Sequence, residues 1–207
     1  MFYLDLFSKL EAHKVDYLLI GGLAVSLHGI ERATMDIDIT VAMQPENLSH
    51  LIACAKDLGL KPVAPVPLES LGNIELLKQW HSEKNMQAFA MRTDALAGVT
   101  LDVLLFTALN FADMHQRAVH FDIGNISIPV ASIDDLIALK QAAGRAIDMS
   151  DIAHLQRLKT LWKLDNQSTL ALTLLTAPTK WVMSVYALLG RLPQRNGWSG
   201  WRSWRIF

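Results

Sequence analysis

Near its N-terminus the chain carries the segment Gly21-Gly-Leu-Ala-Val-Ser-Leu-His-Gly-Ile-Glu-Arg-Ala-Thr-Met-Asp-Ile-Asp-Ile39. The residues directly before it, Val15-Asp-Tyr-Leu-Leu-Ile20, form a short apolar run that the two glycines end, which is typical of a buried strand. Residues 23–28 suit a short helix that closes at Gly29. This part of the chain therefore predicts a strand, a glycine turn and a short helix.

Polar and apolar residues alternate in Asp36-Ile-Asp-Ile-Thr-Val41, which predicts a second strand with Asp36 and Asp38 on one face. Two adjacent carboxylates repel each other, so the pair is best explained by a cation between them. Carboxylate oxygens favour Mg²⁺ or Mn²⁺ over zinc. The competing interpretation is a strand edge that faces solvent, in which case the aspartates hold nothing.

The two glycines can serve the same site. Gly21 and Gly22 let the backbone come close to a ligand, and the helix that follows them directs free N–H groups at an anion such as a triphosphate. A tight turn without any ligand also needs such glycines, and a short glycine motif alone does not separate the two interpretations.

The rest of the chain completes a mixed pattern. It predicts helices at 2–13, 45–58 and 69–80, strands at 87–92 and 99–106, and a hairpin at 120–130. Three prolines between residues 62 and 67 exclude a central strand there. Beyond residue 131 the pattern becomes helical: Ser132 caps one helix, Ser150 caps a second that runs to about Leu164, and two more apolar helices follow.

The predicted fold class is therefore α/β of the α+β type, with a small mixed sheet flanked by helices. We divide the chain into a core at 1–131, a helical part at 132–192 and a tail at 193–207 rich in tryptophan and arginine.

A third carboxylate would complete a two-metal site. Asp102 is the natural candidate, because it lies mid-strand between apolar neighbours, where an unpaired charge is costly. Asp94 is the weaker substitute. In such a site the α-phosphoryl group passes to an acceptor hydroxyl with loss of pyrophosphate, and Asp102 helps to activate that hydroxyl. A charge at a strand end, or a buried ion pair, is the alternative for Asp102.

Three further polar residues are candidates. In a helix that starts at Ser132, Lys140 falls on the apolar stripe. A lysine that points inward there needs an anion. Alternatively, its aliphatic stem carries the ammonium group past the stripe into water. Arg32 either contacts phosphates or anchors its loop by pairing with an acid, and Thr34 can cap or orient that loop. Asp148 and Asp151 are interpreted as helix-terminus acids.

These motifs resemble the DNA polymerase beta-like nucleotidyltransferase superfamily. More narrowly, Arg32-Ala-Thr-Met-Asp-Ile-Asp38, Leu136-Ile-Ala-Leu-Lys140 and Gly144-Arg-Ala-Ile-Asp-Met-Ser-Asp151 are similar to the minimal AbiEii-like nucleotidyltransferases, several of which are bacterial toxins. The resemblance covers about residues 15–160. It implies that Gly21 and Gly22 contact the phosphates and that Asp36 and Asp38 bind Mg²⁺ or Mn²⁺. It also implies that Asp102 is the third carboxylate and that Lys140 lies near the triphosphate. For Asp148 and Asp151 it implies a second role, in which they support the active site structurally.

Composition limits the partners. The 207 residues are 51% hydrophobic and carry a net charge of −1, so the whole chain does not attract polyanions. Residues 166–207 hold five basic and no acidic side chains, and three tryptophans lie within the last ten residues, a pattern that fits RNA stacking, a membrane surface or docking on the chain itself. The single cysteine, Cys54, and the lack of a signal peptide or an apolar run of transmembrane length predict a cytoplasmic protein.

We therefore expect a nucleotidyltransferase that moves an NMP unit from an NTP to a hydroxyl of tRNA, protein or a small molecule, with an antitoxin as a partner if it is a toxin. The mean hydropathy of +0.23 fits either a filled core or a homo-oligomer interface. Two alternatives remain open: a binding module on a degenerate nucleotidyltransferase fold, and a small transferase that modifies antibiotics, which would need an open cleft with acidic groups.

Overall fold

The structure, a computed structural model, describes residues 2–93 and 99–165. The helices within these ranges are α1 Phe2–Ala12, α2 Gly21–Leu27, α3 Pro45–Asp57, α4 Ile74–Lys84, α5 Phe111–Gln116, α6 Ile133–Ala143 and α7 Ala146–Asp165, with a 3₁₀ turn at Leu68–Gly72. The strands are β1 Tyr17–Ile20, β2 Ile37–Val41, β3 Lys61–Pro62, β4 Ala88–Arg92, β5 Leu101–Leu104, β6 Val119–Ile123 and β7 Ile126–Val130.

The described strands form one mixed sheet in the order β3-β4-β5-β2-β1-β7-β6. β2 runs parallel to β5 and antiparallel to β1, and β1 runs parallel to β7. The proline-rich segment contributes only β3, a two-residue edge strand, as its missing N–H groups require. The predicted α/β class with a small mixed sheet and flanking helices is confirmed, and β2, which follows the glycine turn, is central in the sheet.

One hydrophobic core joins the sheet to the helices on both sides of residue 131. Phe7 of α1, Leu19 of β1 and Ile39 of β2 are fully buried in it, and so is Leu155 of α7. α6 packs against both α2 and α7. The division at residue 131 stays a prediction, and residues 166–192 of the predicted helical part and the tail at 193–207 lie outside the described residues.

The predicted start of the last described helix is wrong. α7 begins at Ala146 and not after Ser150, because the carboxylate of Asp148 reaches back to accept a hydrogen bond of 3.2 Å from the Arg145 N–H. Gly144, at φ +63°, ends α6 directly before this turn. Ser132 caps α6 as predicted, through a 3.1 Å bond from the Asp135 N–H.

Other elements also differ from the prediction. The helix expected at 69–80 is a 3₁₀ turn followed by α4, because Asn73 stops the first and caps the second through the Leu76 N–H. α2 begins at Gly21, two residues earlier than expected. α5, which the sequence analysis missed, begins where Asn110 accepts a bond from the Asp113 N–H.

Cys54 lies buried on α3, and burial raises the pKa of its thiol to about 12. Within the part of the chain that the structure describes, every helix is too short or too polar to cross a membrane. The cytoplasmic location stays a prediction.

Candidate active site

Asp38 and Asp102 lie side by side on the two parallel strands at the centre of the sheet. They share one register position in the pairing of β2 with β5. Residues at the same register on neighbouring strands are about 4.8 Å apart and point to the same face of the sheet. The structure therefore brings Asp102 to Asp38, as the sequence analysis expected.

The two carboxyl groups are held in an environment that opposes their charge. Burial raises the pKa of Asp38 to about 6; repulsion from Asp102 and Asp36 adds to this, while the Gly22 N–H and Arg145 oppose it. Burial, followed by repulsion from Asp36, also raises the pKa of Asp102, against hydrogen bonding by Thr100. A cation next to the two carboxyl groups would lower both pKa values.

Asp102 provides a direct sign of a missing partner. Its Oδ1 atom is buried and accepts no hydrogen bond within the described structure. A buried carboxylate oxygen without a donor is costly, because burial removes its water and nothing replaces it. A cation between Asp38 and Asp102 would satisfy this oxygen and relieve the repulsion.

Asp36 lies at the edge of this pair. The prediction that Asp36 belongs to the strand is wrong: β2 begins at Ile37, whose N–H bonds to the Thr100 carbonyl at 2.9 Å, and Asp36 is exposed in the preceding loop. The Thr100 hydroxyl donates to Asp36 Oδ1 at 2.8 Å. Thr100, which the sequence analysis did not consider, therefore links Asp36 to the start of β5.

Within residues 2–93 and 99–165 no three His, Cys, Asp or Glu side chains are grouped closely enough to hold a metal ion by themselves. The donor set still fits magnesium, since Mg²⁺ in such sites is bound by one or two carboxylates together with substrate phosphates and water. Asp38 and Asp102 would supply these two carboxylates. Asp94 lies outside the described residues.

Gly21 and Gly22 leave no room for side chains next to Asp38 and Thr34. Gly21 has φ +71°, and a Cβ there would lie 1.9 Å from Asp38 Oδ2. A Cβ on Gly22 would lie 2.9 Å from Thr34 Oγ1, and the Gly22 N–H donates to the Asp38 carboxylate. The glycine turn thus positions Asp38, and its predicted contact with phosphates stays a prediction.

The loop from Glu31 to Asp36 is tied down at several points. Ser26 Oγ donates to the Arg32 carbonyl at 2.9 Å, and Thr34 Oγ1 donates to the Asp36 carbonyl at 3.3 Å. The Tyr3 hydroxyl donates to the Met35 carbonyl at 3.0 Å. Thr34 thus orients the loop, one of the two roles that the sequence allowed.

Lys140 points inward, as its position on the apolar stripe indicates, and the alternative in which it reaches water is wrong. It is 5% exposed, and its Nζ donates to Asp151 Oδ2 at 2.7 Å and to Asp148 Oδ1 at 3.3 Å. Arg145 also binds Asp148, at 2.8 and 3.1 Å. The anions that Lys140 meets here are the protein's own carboxylates, and its contact with a triphosphate stays a prediction.

Asp148 and Asp151 do more than end a helix. Both are buried, and although burial raises the pKa of Asp148, hydrogen bonds from Arg145 and Lys140 hold it below its usual value. Arg32 Nε donates to Asp151 Oδ2 at 3.4 Å, so Arg32 takes the loop-anchoring alternative that the sequence left open. We call Arg32, Lys140, Arg145, Asp148 and Asp151 the ion network.

The sequence analysis also missed Arg145, which attracts Asp38 electrostatically. Its signal is the adjacent Gly144, which places it at a fixed turn between two helices. His28 is a buried residue: its Nε2 bonds to the Ala131 carbonyl at 2.8 Å, and its ring packs edge-on against Phe121, while its buried Nδ1 has no hydrogen-bond partner within the described structure.

A family model described as "Nucleotidyl transferase AbiEii toxin, Type IV TA system" matches residues 5–173. This range contains both aspartates of the central pair and the whole ion network. None of the curated proteins matches the chain.

Several solved structures are similar in part. The lincosamide antibiotic adenylyltransferase LnuA, bound to lincomycin, is 19% identical with a TM-score of 0.46. The match covers 72% of this chain and 90% of the LnuA chain. ANT(2″)-Ia in complex with adenylyl-2″-tobramycin is 13% identical with a TM-score of 0.45, covering 78% and 94%. An antigenic nucleotidyltransferase-like protein from Paracoccidioides brasiliensis is 17% identical with a TM-score of 0.44, covering 74% and 72%.

Proposed function

The chain belongs to the AbiEii family of nucleotidyl transferases, and we propose that its reaction takes place at Asp38 and Asp102, where an NMP unit passes from an NTP to an acceptor hydroxyl. The observation that supports this most strongly is the shared register of the two carboxylates, with a buried Asp102 oxygen that has no donor. Such a pair needs a cation, and the cation of NTP chemistry is Mg²⁺ or Mn²⁺.

We infer that Asp38 and Asp102 hold this metal ion and that Asp36 reaches it from the loop. When bound, the ion would neutralise phosphate charge and lower the pKa of the acceptor hydroxyl. The acceptor oxygen then forms a bond to the α-phosphorus, the bond from that phosphorus to the bridging oxygen breaks, and pyrophosphate leaves. Asp102 accepts the proton that the acceptor hydroxyl releases.

The nucleotide side of the site is proposed to be the turn at Gly21 and Gly22, with Thr34, Arg32 and Lys140 holding the adjacent loop in place. Thr34 packs on Gly22, so the loop and the glycine turn form one surface next to Asp38. The ion network holds three cations against two carboxylates, and its surplus positive charge attracts Asp38 through Arg145. Positive charge beside the acidic pair suits a triphosphate, whose binding then depends on position and charge more than on covalent chemistry.

The family description supports a toxin that acts in a type IV system, and we propose an antitoxin as its regulatory partner. A toxin must modify something that the cell cannot spare, so tRNA or a protein is the proposed acceptor. A small-molecule acceptor, a homo-oligomer and the binding-module alternative are outcomes that experiment decides.

The proposal is tested by incubating the protein with each of four α-labelled NTPs and Mg²⁺ or Mn²⁺, together with total RNA, total protein and small metabolites. We expect label to enter one acceptor fraction with one preferred base. Label in the small metabolites would replace the toxin by a small-molecule transferase. NTP binding without label in any fraction would contradict transfer and favour the binding module.

A further inference from the structure

Asp151 is shared by two cations that come from different parts of the fold. Its Oδ2 accepts from Lys140 of α6 at 2.7 Å and from Arg32 of the loop at 3.4 Å. Asp151 is 3% exposed and Lys140 5%, so neither charge is solvated and each depends on its partners. The Arg32 side chain is 26% exposed and closes this pair from outside.

The loop that Arg32 enters leads directly to Asp36, four residues later. Other hydrogen bonds join this loop to Tyr3 of α1, Ser26 of α2 and Thr100, directly before β5. The contact of Arg32 with Asp151 ties the same loop to α7. Movement of α7 relative to the sheet would therefore move the loop and, with it, the Asp36 carboxylate.

We propose that Asp151 is a positioning residue of the transferase site, which fixes the Asp36 loop by binding Arg32 while Lys140 holds Asp151 in place. The effect of Asp151 on transfer rests on the proposed function, whereas its role in holding the loop does not depend on that function. Lys140 acts in this arrangement through Asp151 and the loop. The α6–α7 hairpin is then part of the site, and a partner that bound it could control transfer without touching Asp38.

Two kinds of role for Arg32 give different kinetics. If Arg32 positions the loop, Arg32→Gln lowers kcat because Asp36 is misplaced in the transition state, and the KM for NTP changes little. If Arg32 binds phosphate directly, the KM rises and kcat is kept. Loss of an outer partner of a site typically costs 10–100-fold in activity, so we expect a decrease of at least about tenfold.

The test compares Arg32→Gln, Arg32→Lys, Asp151→Asn and the Arg32→Gln/Asp151→Asn double variant. The matched control is Arg117→Gln, since Arg117 binds the buried Asp135 through two hydrogen bonds of 2.7 and 3.2 Å between α5 and α6. The first readout, made without metal or nucleotide, is hydrogen exchange of the segment from Ile30 to Ile37. The second is kcat, KM and the half-saturating Mg²⁺ concentration.

We expect Arg32→Gln and Asp151→Asn to accelerate exchange of that segment at least about tenfold, lower kcat and raise the Mg²⁺ requirement, with the double variant no worse than either single one. Arg32→Lys should recover part of the loss, and Arg117→Gln should change none of these. Unchanged exchange, or a higher KM at constant kcat, would overturn the proposal. If the variants exchange faster but the parent protein transfers no label, the role of Asp151 in fixing the loop is supported and only the proposed function is refuted.

Discussion

Asp38 and Asp102 occupy the same register position on the parallel strands β2 and β5, so their carboxylates meet on one face at the centre of the sheet. The arrangement is costly without a cation: burial and mutual repulsion raise the pKa of Asp38, and one buried oxygen of Asp102 has no donor. Strongly perturbed ionisable groups cluster at functional sites, and we therefore propose this pair as the place where the nucleotidyl transfer expected of the family occurs.

Gly21→Ala is expected to abolish most transfer. The new Cβ would lie 1.9 Å from Asp38 Oδ2 and displace that carboxylate, in addition to the strain of about 1–2 kcal/mol that a side chain meets at positive φ. The matched control is Gly59→Ala, at φ +65° with no atom within 4 Å of its Cβ. Both variants should lose stability in thermal unfolding, but only Gly21→Ala should lose label transfer. Full activity of Gly21→Ala would show that the Asp38 position is unimportant.

The contribution of Asp38 to the stability of the metal-free protein should fall as the pH rises through the range in which this carboxyl group ionises. Its pKa is about 6 in the folded protein against 3.8 for an unperturbed Asp, so between these values the folded state binds more protons than the unfolded chain. Asp38→Asn removes this dependence and should be more stable at pH 7 by on the order of 1–3 kcal/mol. Urea unfolding in EDTA at pH 4 and pH 7 measures it; a variant that is less stable than the parent at pH 7 would contradict the electrostatics.

Lys140→Met should destabilise the fold strongly, because Asp151 would keep only its longer contact with Arg32 while it stays buried. Loss of one partner of a buried ion pair costs about 3–5 kcal/mol. Lys159→Met is the control: Lys159 pairs with Asp134 on the surface, where such pairs contribute about 0–1 kcal/mol. The free energy of unfolding in urea separates them, and equal losses in the two variants would refute the burial argument.

Local patterns in the sequence predicted much of the site. Period-two alternation placed Asp38 on a strand, and the cost of a buried charge selected Asp102. Helical spacing predicted that Lys140 points inward. Each of these inferences depends on neighbours within a few residues, where the physics of a strand or helix fixes which side chains share a face.

The rest depends on contacts between distant parts of the chain. The alternation continues to Asp36, but β2 begins only at Ile37, where pairing to Thr100 of the neighbouring segment starts. The sequence pattern at Asp148 and Asp151 is that of helix-terminus acids, but their pairing with Lys140 follows from how α7 folds back on α6. No local pattern contains this information.

Label transfer from α-labelled NTP by matched carboxylate variants tests the central claim most directly. The parent protein, Asp38→Asn, Asp102→Asn and the control Asp122→Asn are compared in Mg²⁺. Asp122 is an exposed carboxylate on the edge strand β6, where it accepts a hydrogen bond from Ser127. We predict that the parent and Asp122→Asn transfer label, whereas Asp38→Asn and Asp102→Asn stay folded and transfer almost none. Transfer at the parent rate by either Asp38→Asn or Asp102→Asn would show that the reaction does not take place at this pair.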